Sequence, residues 1–261
     1  MVVGVDEATR WVFVGFHKSK DTVNSTIREV VTKIDTQRGP ATVKRVHSDN
    51  GGEFCSKDFD QWVETKGILH TTSAPHTPEH NGLAERTIQT VVSAARCMLI
   101  SSGLPIKFWA EAVRMAVIVL NMAPTKAHPK SSAYKEWHGT APNVSNIKTF
   151  GCRVLVKDPS PVGKFSARTW DGIYLGPAQG GDGHRIWDPN TSRMNASRDV
   201  YFMEDKARPE FQNAPVFADF PPVAAPTPSQ EDSDGKFALS TTVNFKARLQ
   251  SKAKERVAPT V

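Results

Sequence analysis

The first half of the chain alternates β-rich segments with segments of helical periodicity, and that alternation limits it to helices layered on a sheet. Met1–Val5 and Trp11–Phe16 are rich in valine and aromatic residues and flank the turn-forming stretch from Asp6 to Arg10, which predicts a hairpin. A helix is predicted over 22–36, followed by a short strand over 41–48 that ends at Asp49-Asn50-Gly51-Gly52, where the glycines force a turn. A short helix over 57–66 and a strand over 68–72 come next. From Gly82, the residues Ala84, Ile88, Val91, Ala95 and Met98 recur at helical spacing, which predicts a helix with one buried face ending near Gly103. Pro105 opens another helix, from Ile106 to Asn121, that buries Phe108, Trp109, Ala112, Met115, Ala116 and Val119. Beyond about residue 143 the pattern changes to short β-like pieces, Thr149–Lys157, Thr169–Leu175, His184–Asp188 and Asp199–Phe202, separated by Gly, Pro and Asp turns. They predict a small all-β module.

Composition breaks near residue 205. The 57 residues that follow hold seven of the 18 prolines and none of the six tryptophans. The stretch Pro221 to Gly235 cannot bury enough apolar surface to offset its ordering entropy and reads as a disordered linker. Lys236 to Val261 is predicted to be a mobile basic tail, or a helix cut off from its partners. The expected division is 1–143, 144–204 and a disordered 205–261.

Other classes are excluded. Cys55, Cys97 and Cys152 lie far apart with no CxxC pair, so the chain is no disulfide scaffold, and an intracellular, reducing location, nuclear or cytoplasmic, is expected. The three are read as small core residues. Apolar runs such as Ala110 to Leu120 are broken by Glu111 and Arg114 and fall short of the ~18–20 residues of a membrane span, so no membrane partner is expected. The opening residues carry no signal-peptide pattern. The net charge of +6 permits a polyanionic partner, and its placement matters: the body to Glu204 is net +5, residues 205–235 are net −4 and residues 236–261 are net +5.

Two carboxylates stand out. Asp49 sits where a strand runs into a glycine turn, and Glu85 sits in the first turns of a helix, with 35 residues between them. Hard oxygen ligands from two separate elements suit Mg²⁺ or Mn²⁺ that keeps waters and binds phosphates. The plain alternative is a turn-forming Asp and a Glu that serves the helix macrodipole.

The wording around these residues narrows the choice. His47–Phe54 (HSDNGGEF) and Gly67–Thr90 (GILHTTSAPHTPEHNGLAERTIQT) closely resemble the core of copia-type retrotransposon integrases, and LPIKFWAEA (Leu104–Ala112), LNMAP (Leu120–Pro124), FGCRVLV (Phe150–Val156), GIYLG (Gly172–Gly176) and SRDVYFMED (Ser197–Asp205) continue the match in order. The resemblance implies an α/β RNase H-like core, a mixed sheet with flanking helices, followed by a small SH3-like β-barrel and a disordered tail. It implies that Asp49 is the family's second catalytic Asp and Glu85 its Glu. Asn81 and Gly82 would shape the loop before Glu85, and Gln89, one turn further along the helix, would meet DNA. The implied reaction joins a DNA 3′-hydroxyl at an element end to a target phosphodiester. The implied partners are element-end and target DNA and further copies of the chain.

The match also departs from the family. The family's first catalytic Asp lies on an opening strand upstream of the segment that DEATRW resembles, so the core is expected to lack that central strand and to carry unpaired edges. Asp6 aligns with a non-catalytic acid. The family's His-His-Cys-Cys zinc module has no counterpart, and His76 and His80 read as loop residues. Lys18, Lys20, Lys44 and Arg45 are candidates for phosphate contact, the plain alternative being a charged strand edge or a solvated face. Trp62, Trp109, Trp137 and Trp170 are expected in the core rather than stacked on bases. The rival function is a non-catalytic nucleic-acid-binding or assembly module.

Overall fold

The computed structural model describes residues 1–17, 19, 22–48, 54, 56–72, 82–158, 163, 165–178, 182–204 and 242–247. The described elements are β1 (Val2–Asp6), β2 (Val12–Gly15), α1 (Val23–Arg38), β3 (Val43–Ser48), α2 (Lys57–Thr65), β4 (Leu69–Thr72), α3 (Gly82–Ser102), α4 (Trp109–Met122), α5 (Ala133–His138), β5 (Arg153–Lys157), β6 (Thr169–Pro177), β7 (His184–Asp188), β8 (Arg193–Ser197), β9 (Val200–Met203) and β10 (Thr242–Ala247). They fall into two compact units, residues 1–85 with 240–261, and residues 86–239. The boundary expected at 143 therefore lies inside the second unit.

The first unit is a five-stranded mixed sheet in the order β2-β1-β10-β3-β4. All five residues of β1 are buried. Its last, Asp6, accepts hydrogen bonds from the Thr9 amide at 2.8 Å and the Thr9 hydroxyl at 2.7 Å. Those bonds close the turn into β2, which makes Asp6 a turn-builder. Val23, Ile27, Val30, Val31 and Ile34 form the buried face of α1. Gly15 is needed beneath it, because a Cβ there would collide with Thr26 Cγ2. Ser56 caps α2, its hydroxyl accepting from the Phe59 amide, with Asp58 and Asp60 in the positive first turn.

β10 corrects the expectation for the tail. Thr242–Ala247 is a strand of the core sheet, paired parallel to β1 and antiparallel to β3, with Val243 buried. Unpaired edges are expected where the central strand is missing, whereas the facing edges of β1 and β3 are both paired with β10. Pro221–Gly235 lies outside the described residues. Thr242-Val243-Asn244-Phe245 combines β-branched and aromatic residues whose state depends on a partner edge. The remainder of 205–261 lies outside the described residues.

The second unit holds α4, α5, most of α3 and an antiparallel sheet in the order β8-β7-β6-β5-β9. The strands read from the sequence are present there, joined by β8, which sequence patterning missed because Arg193, Met194, Asn195 and Ala196 are exposed and the strand has no apolar alternation. The sequence reading also missed α5. It is capped by the Ser132 hydroxyl and ended by Gly139 at φ 76°, and it fully buries Trp137. Arg185 of β7 donates twice to the Glu111 carboxylate of α4, at 3.0 and 2.7 Å, fixing that helix to the sheet. Gly151, at φ 76°, lies against Ser102 at the end of α3, with no room for a side chain.

Burial along α3 follows the predicted face at Ala84, Val91 and Ala95 and adds Leu99. Cys97 is a correction: it is exposed, one position off that stripe, whereas Cys152 is buried. Cys55 lies outside the described residues.

Candidate metal and nucleic-acid site

The end of β3 is held from both sides. Ser48 aligns with Val243 of β10 and with Thr72 of β4. Its buried hydroxyl is 2.9 Å from His70 Nε2, and His47 Nδ1 lies 2.9 Å from the Thr71 hydroxyl. Burial lowers the pKa of His70, while Asp60, 3.7 Å from its Nδ1, pulls the other way. Phe54 is fully buried against Phe59 at a ring separation of 5.5 Å. Ser48 thus ends an interior strand on a buried anchor, and Phe54 is a second buried anchor.

Asp49 and Asn81 lie outside the described residues, as do Lys18, Lys20, His76 and His80. Glu85 is half-buried in the first turn of α3, beside buried Ala84. Among the described residues its carboxylate has no hydrogen-bond or ion-pair partner. Gln89 is exposed one turn further on. Lys44 is exposed on β3, and its neighbour Arg45 is tied to Glu7 at 3.2 Å, an ion pair exposed enough to be worth little. Of the tryptophans named above, Trp137 is buried and the others are half-buried. Trp62 carries Arg28 over its ring at 5.4 Å and Phe59 beside it at 5.6 Å. Among the described residues no three His, Cys, Asp or Glu side chains are grouped closely enough to hold a metal, and no helix is long and apolar enough to cross a membrane.

Sequence reasoning overlooked the polar clasp of His47, Ser48, His70, Thr71 and Asp60. A signal was present, since both parallel strands, His47-Ser48 and His70-Thr71-Thr72, end in polar residues where a core strand would stay apolar.

Residues 1–78 match the integrase core domain family, and residues 152–216 match the retroviral polymerase SH3-like domain. The chain is 34% identical over 208 residues to a retrovirus-related Pol polyprotein from transposon TNT 1-94 of Nicotiana tabacum, an alignment covering 79% of this chain and 16% of the relative. It is 31% identical over 205 residues to the Pol polyprotein from transposon RE1 of Arabidopsis thaliana, covering 78% and 14%. The chain thus spans about a sixth of the length of these relatives. Among solved structures it is similar to the HTLV-2 integrase catalytic core domain in complex with magnesium, at 23% identity and a TM-score of 0.39, covering 50% of this chain and 79% of that one.

Proposed function

Because this chain belongs with the copia-type retrotransposon Pol polyproteins, through its integrase core domain and its retroviral polymerase SH3-like domain, we propose that it is a DNA-integration domain that binds DNA and joins element 3′ ends to target DNA. One observation carries the reading. The interior strand β3 is clasped at its end, one residue before Asp49 in the sequence, and α3 offers in its first turn a half-buried Glu85 without a described partner. Two such oxygen donors fit a hard divalent cation such as Mg²⁺ or Mn²⁺. When bound there, the metal would activate the attacking 3′-hydroxyl and stabilise the departing oxygen.

The chain's own groups would position the DNA. The His47–Thr71 and Ser48–His70 bonds keep β3 and β4 in register up to Ser48. Lys44, Asn81 and Gln89 would take phosphate or base contacts, and Arg45 would join them on releasing Glu7. The working form would be a homo-oligomer acting on nuclear DNA, within a reducing nuclear or cytoplasmic compartment.

The second reading is DNA binding without turnover. It is favoured by the composition of β10, since Thr-Val-Asn-Phe-Lys-Ala brings no carboxylate into the strand beside β3. A strand-transfer assay in Mg²⁺ or Mn²⁺ separates the two. Joining by the unaltered chain, lowered by Glu85→Gln at least about 100-fold, establishes the enzyme. Absence of joining by either protein, with binding that weakens steeply in salt, establishes the binding module, and each phosphate contact then adds about −0.9 to the log–log slope.

A further inference from the structure

We propose that the space between β1 and β3 is a strand-acceptor groove, that its occupant is this chain's own segment Thr242–Ala247, and that the core sheet holds together only while this segment is seated. The proposal stands apart from the integration reading. Its basis is sheet order: β1 and β3 are not neighbours, and among the described residues the strand order links the β2–β1 pair to the β3–β4 pair through β10. Val3, Gly4, Val5 and Asp6 align with Thr242, Val243, Asn244 and Phe245 on one side. On the other side, Ser48, His47, Val46 and Arg45 align with Val243, Asn244, Phe245 and Lys246.

Without β10 the sheet becomes two two-stranded ribbons, and such ribbons are marginal in water. The exposed edges would be costly ones. β1 is buried along its whole length, as are Val46 and Ser48 of β3, so removing β10 would strip the ladder partners from their N–H and C=O groups and uncover apolar side chains beside them. The segment is suited to the seat, with β-branched Thr242 and Val243, and Val243 is fully buried. A register shift between Lys246 and Ala247 marks the end of regular pairing with β3.

The tether does not oppose this. Some 37 residues, 205–241, precede the strand, and the entropy of closing a loop grows only logarithmically with its length. Separation in sequence does have a consequence. β10 lies nearly 200 residues beyond β3, so this pairing forms late, and a competing strand can take the groove.

The test uses the full chain and residue-resolved amide exchange. Asn244→Pro removes a ladder donor, and Val243→Asp places a charge at the buried position. Each is expected to cut protection of the β1 and β3 amides at least about 100-fold while β5–β7 keep theirs, and a synthetic peptide spanning 240–248 should restore protection to the Asn244→Pro chain where a scrambled peptide does not. Unchanged β1 and β3 protection in both variants overturns the proposal. If a variant loses protection everywhere, the unaltered sequence with a protease site introduced between Pro221 and Gly235 decides. After cutting, retention of the 236–261 fragment with β1 still protected supports the groove, and its release with β1 and β3 still protected overturns it. Sedimentation as a dimer whenever β1 is protected would place a second copy in the groove and overturn the intramolecular assignment.

Discussion

The two sheets reach five strands by opposite routes. In the second, successive antiparallel pairings link β5, β6, β7 and β8, and β9 closes the other edge from a few dozen residues away. In the first, the central strand comes from the far end of the chain. The second sheet is stabilised by side chains close in sequence, including Tyr174, His184 and Phe202, whose ring centroids lie 4.9 to 5.7 Å apart. Locally built sheets can be read strand by strand, whereas a sheet completed from a distance depends on a partner that no local window contains.

The comparison can be broken most forcefully by burying a charge in each sheet. Val46 and Val154 are both fully buried on interior strands. Val46→Asp and Val154→Asp are each expected to cost about 3–5 kcal/mol, as for an uncompensated buried charge. Amide exchange should show loss confined to the mutated sheet. If Val46→Asp also releases β5–β7, the sheets do not fold independently and the contrast fails.

A smaller effect tests how the second sheet holds its helix. Glu111→Ala should lower stability by about 2 kcal/mol, because the fork of Arg185 then loses both charge-assisted bonds. Arg185→Lys should cost about half as much, since it keeps the charge but not the paired geometry. Thermal unfolding followed through the nearby Trp187 would register both changes, and β1 protection should stay unchanged.

The smallest effect is the pH response, and each sheet contains one reporter. Burial lowers the pKa of His70 in the first, against the pull of Asp60; burial followed by Lys148 lowers that of His184 in the second. Both histidines favour the neutral form when folded, so their contribution is complete above about pH 6.5 and diminishes as pH falls through that value toward the lower folded pKa. Chemical denaturation between pH 7.5 and 5 should show this decline, and His70→Gln should flatten it for the first sheet alone. A decline unaltered by that substitution would assign the response elsewhere.

Much of the fold was legible in the sequence because it is written in local periodicity. The spacing of Ala84, Val91 and Ala95 marks α3, the valines of β1 mark a buried strand, and Phe150 to Val156 marks the start of the β module. The candidate site was stated from the sequence as a pair of residues, Asp49 and Glu85, and as a family resemblance, and Asp49 lies outside the described residues. The clasp around Ser48 was not legible, because a hydroxyl and two imidazoles take on meaning only when β3 and β4 lie side by side in register. Cys97 was misread because a single position of rotation on a helix moves a side chain from the buried stripe to solvent.

What the sequence determined alone is most of the local choices: which segments curl, which extend, and where Gly103 ends α3, since these follow from side-chain spacing and backbone freedom within a few residues. What only the tertiary structure decided is the fate of Thr242–Ala247. A short β-competent segment behind a proline-rich linker has no preference strong enough to order itself, and it becomes a strand because the buried edges of β1 and β3 offer hydrogen bonds that nothing else described in the chain supplies.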